Sequence, residues 1–139
     1  MNPGLAGIAR ENLKRFAERA SPLAPASVVE GDALEVALPS TPTVAFLFHP
    51  FEAPVLRRLV RRIESHAAGL SEGRAFDLLY VNAEHGAVMD QSLRFTRVFH
   101  GMVPMSPEDH LADLAEIAEQ TEYGSTGDEI CGIYRLRQH

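Results

Sequence analysis

A histidine and a proline end the most apolar run of the sequence. Residues 44–48 read VAFLF, and His49, Pro50 and Phe51 follow directly. A run without polar alternation is typical of a parallel strand covered on both faces, and ligands of open α/β sheets bind beyond the carboxyl ends of such strands. His49, Pro50 and Phe51 therefore stand where such folds usually carry out their chemistry. The structural alternative is that His49 closes the strand through a backbone hydrogen bond while Pro50 stops it.

Two other side chains stand after apolar segments in the same way. Asp32 follows the short β-branched segment 27–30, and His85 follows the apolar run 76–82. If the three strands end at one sheet edge, Asp32, His49 and His85 meet there and offer ligands to a metal ion. Neither H-x-x-x-H nor C-x-x-C spacing occurs, so no metal ligand is assigned. A small metal-dependent enzyme that uses these three residues stays open as one hypothesis.

The composition is that of an ordinary globular protein with an acidic balance. The 139 residues include 13 Lys and Arg against 19 Asp and Glu, and 45% are hydrophobic. These values predict one domain and argue against a dedicated nucleic-acid or anionic-membrane surface. The sequence shows no signal peptide and no apolar run of membrane-spanning length, and its one cysteine, Cys131, fits a reducing compartment. We therefore expect a cytoplasmic protein.

The periodicity of apolar residues predicts alternating helices and strands. Strand–helix–strand order across 44–82, with short loops, predicts a parallel pair joined by a right-handed crossover. The predicted helices cover 5–20, 53–67, 86–92 and a segment that begins at Ser106, and the predicted strands cover 27–30, 44–48, 76–82, 95–99 and 130–136. The second helix carries a basic stripe of four arginines, 57, 58, 61 and 62, for which we favour a solvated face over a site for an acidic partner.

Four segments in sequence order resemble a known enzyme family. They read NPGLAGIARENLKRF, VVEGDALEV, VAFLFHPF and FDLLYVNAEH. Their order and spacing resemble the later part of the class I S-adenosylmethionine-dependent methyltransferases. The resemblance implies an α/β fold with a Rossmann-like, mostly parallel sheet and an antiparallel closing strand near residues 130–136.

The same resemblance assigns roles to individual residues. Asp32 resembles the acid that accepts a hydrogen bond from the adenine amino group of S-adenosylmethionine, and Ala33 its neighbour whose backbone meets the ring. His49, Pro50 and Phe51 resemble the loop beside the transferred methyl group and its acceptor. His49 would there remove the acceptor's proton, because a positioned base at this point is what the transfer needs. The form HPF departs from the D/N-P-P-[YF] form of amino-methylating members, which puts a nitrogen acceptor in doubt.

Two features of the family have no counterpart in this sequence. They are the glycine-rich loop that cradles the methionine part of the cofactor and the acid that binds the ribose hydroxyls. The resemblance therefore implies a single methyltransferase-like domain over 1–139 that is incomplete at its N-terminus and lacks the first strands. Such a sheet has an unpaired edge, so the rival hypothesis is an interaction module that pairs through this edge, with a second copy of the chain as one candidate partner. The methyl acceptor, and whether this chain is active alone, stay open.

Overall fold

The computed structural model describes residues 3–19, 24–69, 75–104, 106–108, 110–111, 114 and 129–137. The chain divides into two compact units, Met1–Ala37 and Leu38–His139, which are considered separately. Among the described residues, no helix is both long and apolar enough to cross a membrane. The expectation of a single domain stays a prediction.

The first unit contains one helix, α1, over Pro3–Arg19. It matches the helix predicted over 5–20, because its apolar residues recur at helical spacing. An ion pair one turn apart, in which Arg15 Nε donates to Glu11 Oε1 at 3.0 Å, lies on its exposed surface. The strand predicted over 27–30 is wrong, since this segment is irregular. Two adjacent valines favour an extended backbone, but a strand also needs a neighbour to pair with.

The second unit holds a mixed four-stranded sheet with the order β1-β2-β4-β3. Its elements are β1 (Thr43–Phe48), α2 (Ala53–Ala68), β2 (Phe76–Val81), α3 (Gly86–Asp90), β3 (Phe95–Val103) and β4 (Glu129–Leu136). The predicted elements of this unit are thus confirmed to within a few residues, β3 being longer than expected. Residues 107, 108, 110, 111 and 114 are helical, and the rest of the helix predicted from Ser106 lies outside the described residues.

Strands β1 and β2, which α2 connects, form the predicted parallel pair. Their register runs from Thr43 opposite Phe76 to Phe48 opposite Val81. The helix α2 begins after Glu52 with a proline in its first turn, where the missing amide hydrogen costs nothing. Its buried side chains are Leu56, Leu59, Val60 and Ile63, and Leu78 and Tyr80 of β2 are fully buried. The apolar periodicity of α2 and one face of β2 therefore supply most of this core.

The closing strand β4 is antiparallel to both of its neighbours, β2 and β3. Leu78 faces Tyr134, and both side chains are buried. Gly132 lies beside the same ring, and a Cβ there would stand 2.6 Å from Tyr134 Cε2, so only glycine fits. A register shift between Arg97 and Phe99 marks a bulge in β3. The expected antiparallel closing strand is thus present, inserted between β2 and β3.

The other face of the sheet carries a charged cross-strand pair. Arg135 donates from Nε to Asp77 Oδ1 and from its terminal nitrogen to Asp77 Oδ2, both at 2.8 Å. The hydrogen bonds from Arg135 hold the pKa of Asp77 below its ordinary value, although partial burial opposes this. The folded carboxyl binds its proton less readily than the unfolded one. The contribution of Asp77 to stability is therefore complete above the ordinary carboxyl pKa and is lost as the pH falls through the lowered value.

One expectation about β1 is wrong. The apolar run 44–48 predicted a strand covered on both faces, but Val44, Phe46 and Phe48 are 69%, 62% and 56% exposed. Their neighbours Thr43, Ala45 and Leu47 on the opposite face are half-buried. The strand lies at the edge of the sheet and pairs only with β2 among the described strands. An apolar run favours burial of both faces, but it does not establish that anything covers them.

Candidate functional site

The carboxyl ends of β1 and β2 lie at one edge of the sheet, and the backbone turns abruptly after each of the two strands. The amide of His49 donates to the carbonyl of Val81 at 3.1 Å and so extends the β1–β2 pairing by one bond. The next conformations are unusual, because His49 has φ 35° and Asn82 has φ 50°. Left-handed backbone is uncommon outside glycine, although Asn and His adopt it more readily than most residues. Strain of this kind costs about 1–3 kcal/mol and concentrates at functional sites.

The two turns bring four ionisable side chains together as the His–Glu cluster, which consists of His49, Glu52, Glu84 and His85. The rings of His49 and His85 lie 5.5 Å apart between centroids. His49 Nε2 is 3.5 Å from Glu84 Oε2, and His85 Nε2 is 3.4 Å from Glu52 Oε2. Each histidine therefore pairs with the glutamate of the opposite loop, so that the two pairs cross the sheet edge.

Both histidines keep a ring nitrogen that is buried and unpaired. Within the described parts of the chain, His49 Nδ1 and His85 Nε2 have no hydrogen-bond partner. The contact between His85 and Glu52 has the distance of an ion pair but not the geometry of a hydrogen bond. Buried polar atoms are nearly always paired in native proteins, so these two nitrogens are the polar atoms of the cluster that its own residues leave without a hydrogen bond.

A buried tyrosine also belongs to this edge. Tyr80, fully buried in β2, has a hydroxyl with no hydrogen-bond partner among the described residues. Burial raises the pKa of Tyr80; the nearby backbone of His85 opposes this, and the carboxylates of Glu84 and Glu52 add to it. The hydroxyl thus keeps its proton at neutral pH and is a donor rather than a base. The edge offers imidazole nitrogens as proton acceptors and one phenol as a donor.

The sequence-based candidates in the loop after β1 are present at this edge. Only His49 among them carries a group that can exchange a proton; Pro50 is exposed and Phe51 is half-buried. The structural interpretation of His49 accounts for its backbone, which does continue the strand pairing. It does not account for the imidazole, because that ring is not used to cap the strand. The described contact of the imidazole is with the Glu84 carboxylate.

Asp32 and Ala33 lie in the first unit, in a turn that Asp32 itself organises. Asp32 Oδ1 accepts from the amide of Leu34 at 2.9 Å, and its backbone carbonyl accepts from the amide of Glu35 at 2.8 Å. This is an Asx-turn, a common local role for an aspartate. The Asp32 side chain is exposed, and its second oxygen accepts no hydrogen bond from any described residue. It can still accept one from a ligand.

The metal hypothesis gains no support from these positions. Over residues 3–19, 24–69, 75–104 and the shorter described stretches, no three His, Cys, Asp or Glu residues are grouped so as to hold a metal ion. Burial raises the pKa of the Cys131 thiol, which keeps it in the protonated, less nucleophilic form. Proton transfer by imidazole is the chemistry that the His–Glu cluster supports best.

Sequence reasoning did not identify Glu52, Glu84, Tyr80 or Asn82 as site residues. One signal was available: the loops HPFE and NAEH each pair a histidine with a glutamate directly after a buried strand. Residues 69–73 also spell G-x-S-x-G, the pattern of a hydrolase nucleophile elbow. They connect a helix to a strand, whereas the elbow connects a strand to a helix, so the match is one of letters only.

No protein-family model, no curated protein and no solved structure matches this chain.

Proposed function

We propose that this chain is a methyltransferase-like domain that acts on S-adenosylmethionine and transfers its methyl group to an acceptor. The observation that carries the proposal is His49, which is held at φ 35° at the carboxyl end of β1 with its imidazole 3.5 Å from the Glu84 carboxylate. Ligands of open α/β sheets bind beyond this end of the strands. The loop after β1 is also where the sequence resembles the acceptor side of class I methyltransferases.

The order of the strands supports the proposal as well. The sheet runs parallel through β1 and β2 and then contains the antiparallel closing strand that the resemblance implies. This strand is the last of the described elements, as expected for residues 130–136. A shared strand order is evidence about fold, so the argument for activity rests on the edge residues.

The proposed chemistry needs one base and a fixed geometry. S-adenosylmethionine, when bound, would supply an activated methyl group whose transfer to the acceptor releases S-adenosylhomocysteine, and His49 would take the proton that the acceptor loses. Glu84, 3.5 Å from His49 Nε2, stabilises the imidazolium that forms. Because a base is useful only where the acceptor has a proton to lose, hydroxyl and thiol acceptors fit best. The roles of Asp32 and Ala33 in binding the adenine rest on the resemblance alone.

The test is a calorimetric titration of the 139-residue chain with S-adenosylhomocysteine. We expect Asp32→Asn to weaken binding about tenfold, because the amide cannot accept from the adenine amino group as a carboxylate does. The amide oxygen still accepts from Leu34, which preserves the turn. Glu35→Gln, an exposed carboxylate in the same turn, is the matched control and should leave the affinity unchanged. Equal affinities for all three proteins would remove Asp32 from the site.

A second candidate function is favoured by the exposed apolar face of β1. Val44, Phe46 and Phe48 lie on a strand that pairs on one side only within the described sheet. An open apolar edge of this kind invites pairing with another strand, and an interaction module that captures a partner or a second copy would use it. Sedimentation over a concentration series separates the two candidates. Self-association that S-adenosylhomocysteine does not affect favours the module, and a monomer that binds the cofactor favours the enzyme.

A further inference from the structure

A groove beside α2 is bordered by arginines that the proposed methyl transfer does not use. Its volume is about 450 Å³, and it runs between α2 and the segment that links α3 to β3. Small-molecule sites in proteins commonly have volumes of this size. Three arginines line it, namely Arg57 and Arg61 of α2 and Arg94 before β3.

The two arginines of α2 repel each other across one helical turn. Arg57 and Arg61 are exposed, and neither forms an ion pair with any residue that the structure describes. Like charges four residues apart on a helix are destabilising, and an anion placed between them relieves the repulsion. The structure also divides the basic stripe seen in the sequence, because Arg58 does not line the groove.

The third arginine is positioned by hydrogen bonds that leave part of it unused. Arg94 donates from one terminal nitrogen to the backbone carbonyl of Glu64 at 3.2 Å. Its Nε is buried and has no partner among the described residues. Ser92 donates to the Glu64 carboxylate at 2.5 Å and accepts from the amide of Arg94 at 3.1 Å. The Glu64 side chain is thus held by Ser92, and three arginines and one glutamate line the groove.

Part of the groove's lining is apolar. Val60 and Val88 are buried at 5% and 7% exposure, whereas Leu93 is 89% exposed. All three line the groove. A ligand with an apolar body would cover Leu93 and lie against the two valines while its charged group meets the arginines. A free inorganic anion would leave this apolar surface open to water.

We propose that this groove binds a small soluble molecule that carries a phosphate or carboxylate group on a short apolar body. Arg57, Arg61 and Arg94 hold the anionic group, for which the planar, permanently charged guanidinium is well suited. Val60, Val88 and Leu93 contact the apolar body. The site is separate from the His–Glu cluster, since none of its lining residues belongs to that cluster.

The experiment uses phenyl phosphate and benzoate as probes, titrated into the 139-residue chain at low ionic strength and followed by calorimetry. We expect at least one of them to bind at millimolar concentration or below and to bind more weakly in high salt. The double variant Arg57→Gln, Arg61→Gln should weaken this binding by about tenfold or more. Glutamine is a good helix former, so α2 should persist, and circular dichroism checks this. Arg58→Gln is the control and should bind as the parent chain does.

Inorganic phosphate and benzyl alcohol separate the two parts of the proposed ligand. Each should bind at least tenfold more weakly than the better of the two probes, because each offers only half of the contacts. Inorganic phosphate binding as tightly as phenyl phosphate would overturn the proposed ligand class. Equal losses in Arg58→Gln and in the double variant would show a general charge effect, and no binding of either probe would also overturn the proposal.

Discussion

His49→Asn is expected to lower methyl transfer by about 10²- to 10⁴-fold, the usual contribution of a positioned general base. Asparagine accepts the left-handed backbone that His49 adopts at φ 35°, so the turn after β1 is kept. It offers no group that can take the acceptor's proton. Transfer is measured as S-adenosylhomocysteine released from S-adenosylmethionine, with catechol, phenol and a small thiol as probe acceptors.

The binding of S-adenosylhomocysteine to this variant should change little, because His49 is proposed to act on the acceptor and not on the cofactor. His100→Asn is the matched control: His100 is an exposed histidine on β3, away from the β1–β2 edge, and its loss should leave the rate unchanged. If the parent chain turns over and His49→Asn does so at the same rate, His49 is not the base. The backbone hydrogen bond by which His49 ends β1 would then be its whole role.

Leu78→Ala is expected to destabilise the second unit by about 2–5 kcal/mol, as large-to-small substitutions in packed cores do. Leu78 is fully buried in β2, where it faces Ala45 on one side and Tyr134 on the other. Truncation of Leu78 removes its apolar contacts and leaves a cavity. The cavity should persist, because β2 is hydrogen-bonded to β1 and β4 and cannot move to fill it. The free energy of unfolding is measured by urea denaturation, and the midpoint should fall with the slope unchanged.

The same substitution at Leu93 provides the comparison for Leu78→Ala. Leu93 is 89% exposed, so its truncation should change the free energy of unfolding by no more than about 0.5 kcal/mol. A loss below about 1 kcal/mol at Leu78 would mean that this face of β2 is not a packed core. Similar losses at both positions would contradict the burial on which the fold description depends.

The local sequence pattern was sufficient to predict β1, α2 and β2, the elements that position the His–Glu cluster. The helix α2 carries apolar residues at helical spacing over three turns, with a proline in its first turn. The runs in β1 and β2 are flanked by polar and turn residues. Periodicity reports on which side chains avoid water, and that is a property of the segment itself. The parallel pairing then follows from the strand–helix–strand order.

The sequence pattern was insufficient to predict features that depend on contacts with residues distant in sequence. Segment 27–30 has the composition of a strand, but pairing decides whether a strand forms. The apolar run of β1 predicted cover on both faces, yet Phe46 is 62% exposed, because cover of a face depends on what packs against it and not on the strand's own residues. The bidentate contact of Asp77 with Arg135 joins residues far apart in sequence, and no local rule could have paired them.

The candidate site was predicted in part for the same reason. His49 could be identified because the carboxyl end of a buried strand is a preferred place for chemistry, and its position needs only the strand. The crossed pairing with Glu84 depends on the turn at Asn82, whose φ of 50° redirects the chain. Backbone strain and orphan ring nitrogens are properties of the folded edge, so only the structure could reveal them.

The most direct measurement is an NMR titration of the ¹⁵N-labelled 139-residue chain with S-adenosylhomocysteine. If the carboxyl edge of β1 and β2 binds the cofactor, the amide signals of His49, Phe51, Glu52 and residues 82–85 should shift in a saturable manner, and those of the groove beside α2 should not. A folded chain whose edge signals stay unmoved at millimolar ligand would contradict the proposed methyl transfer.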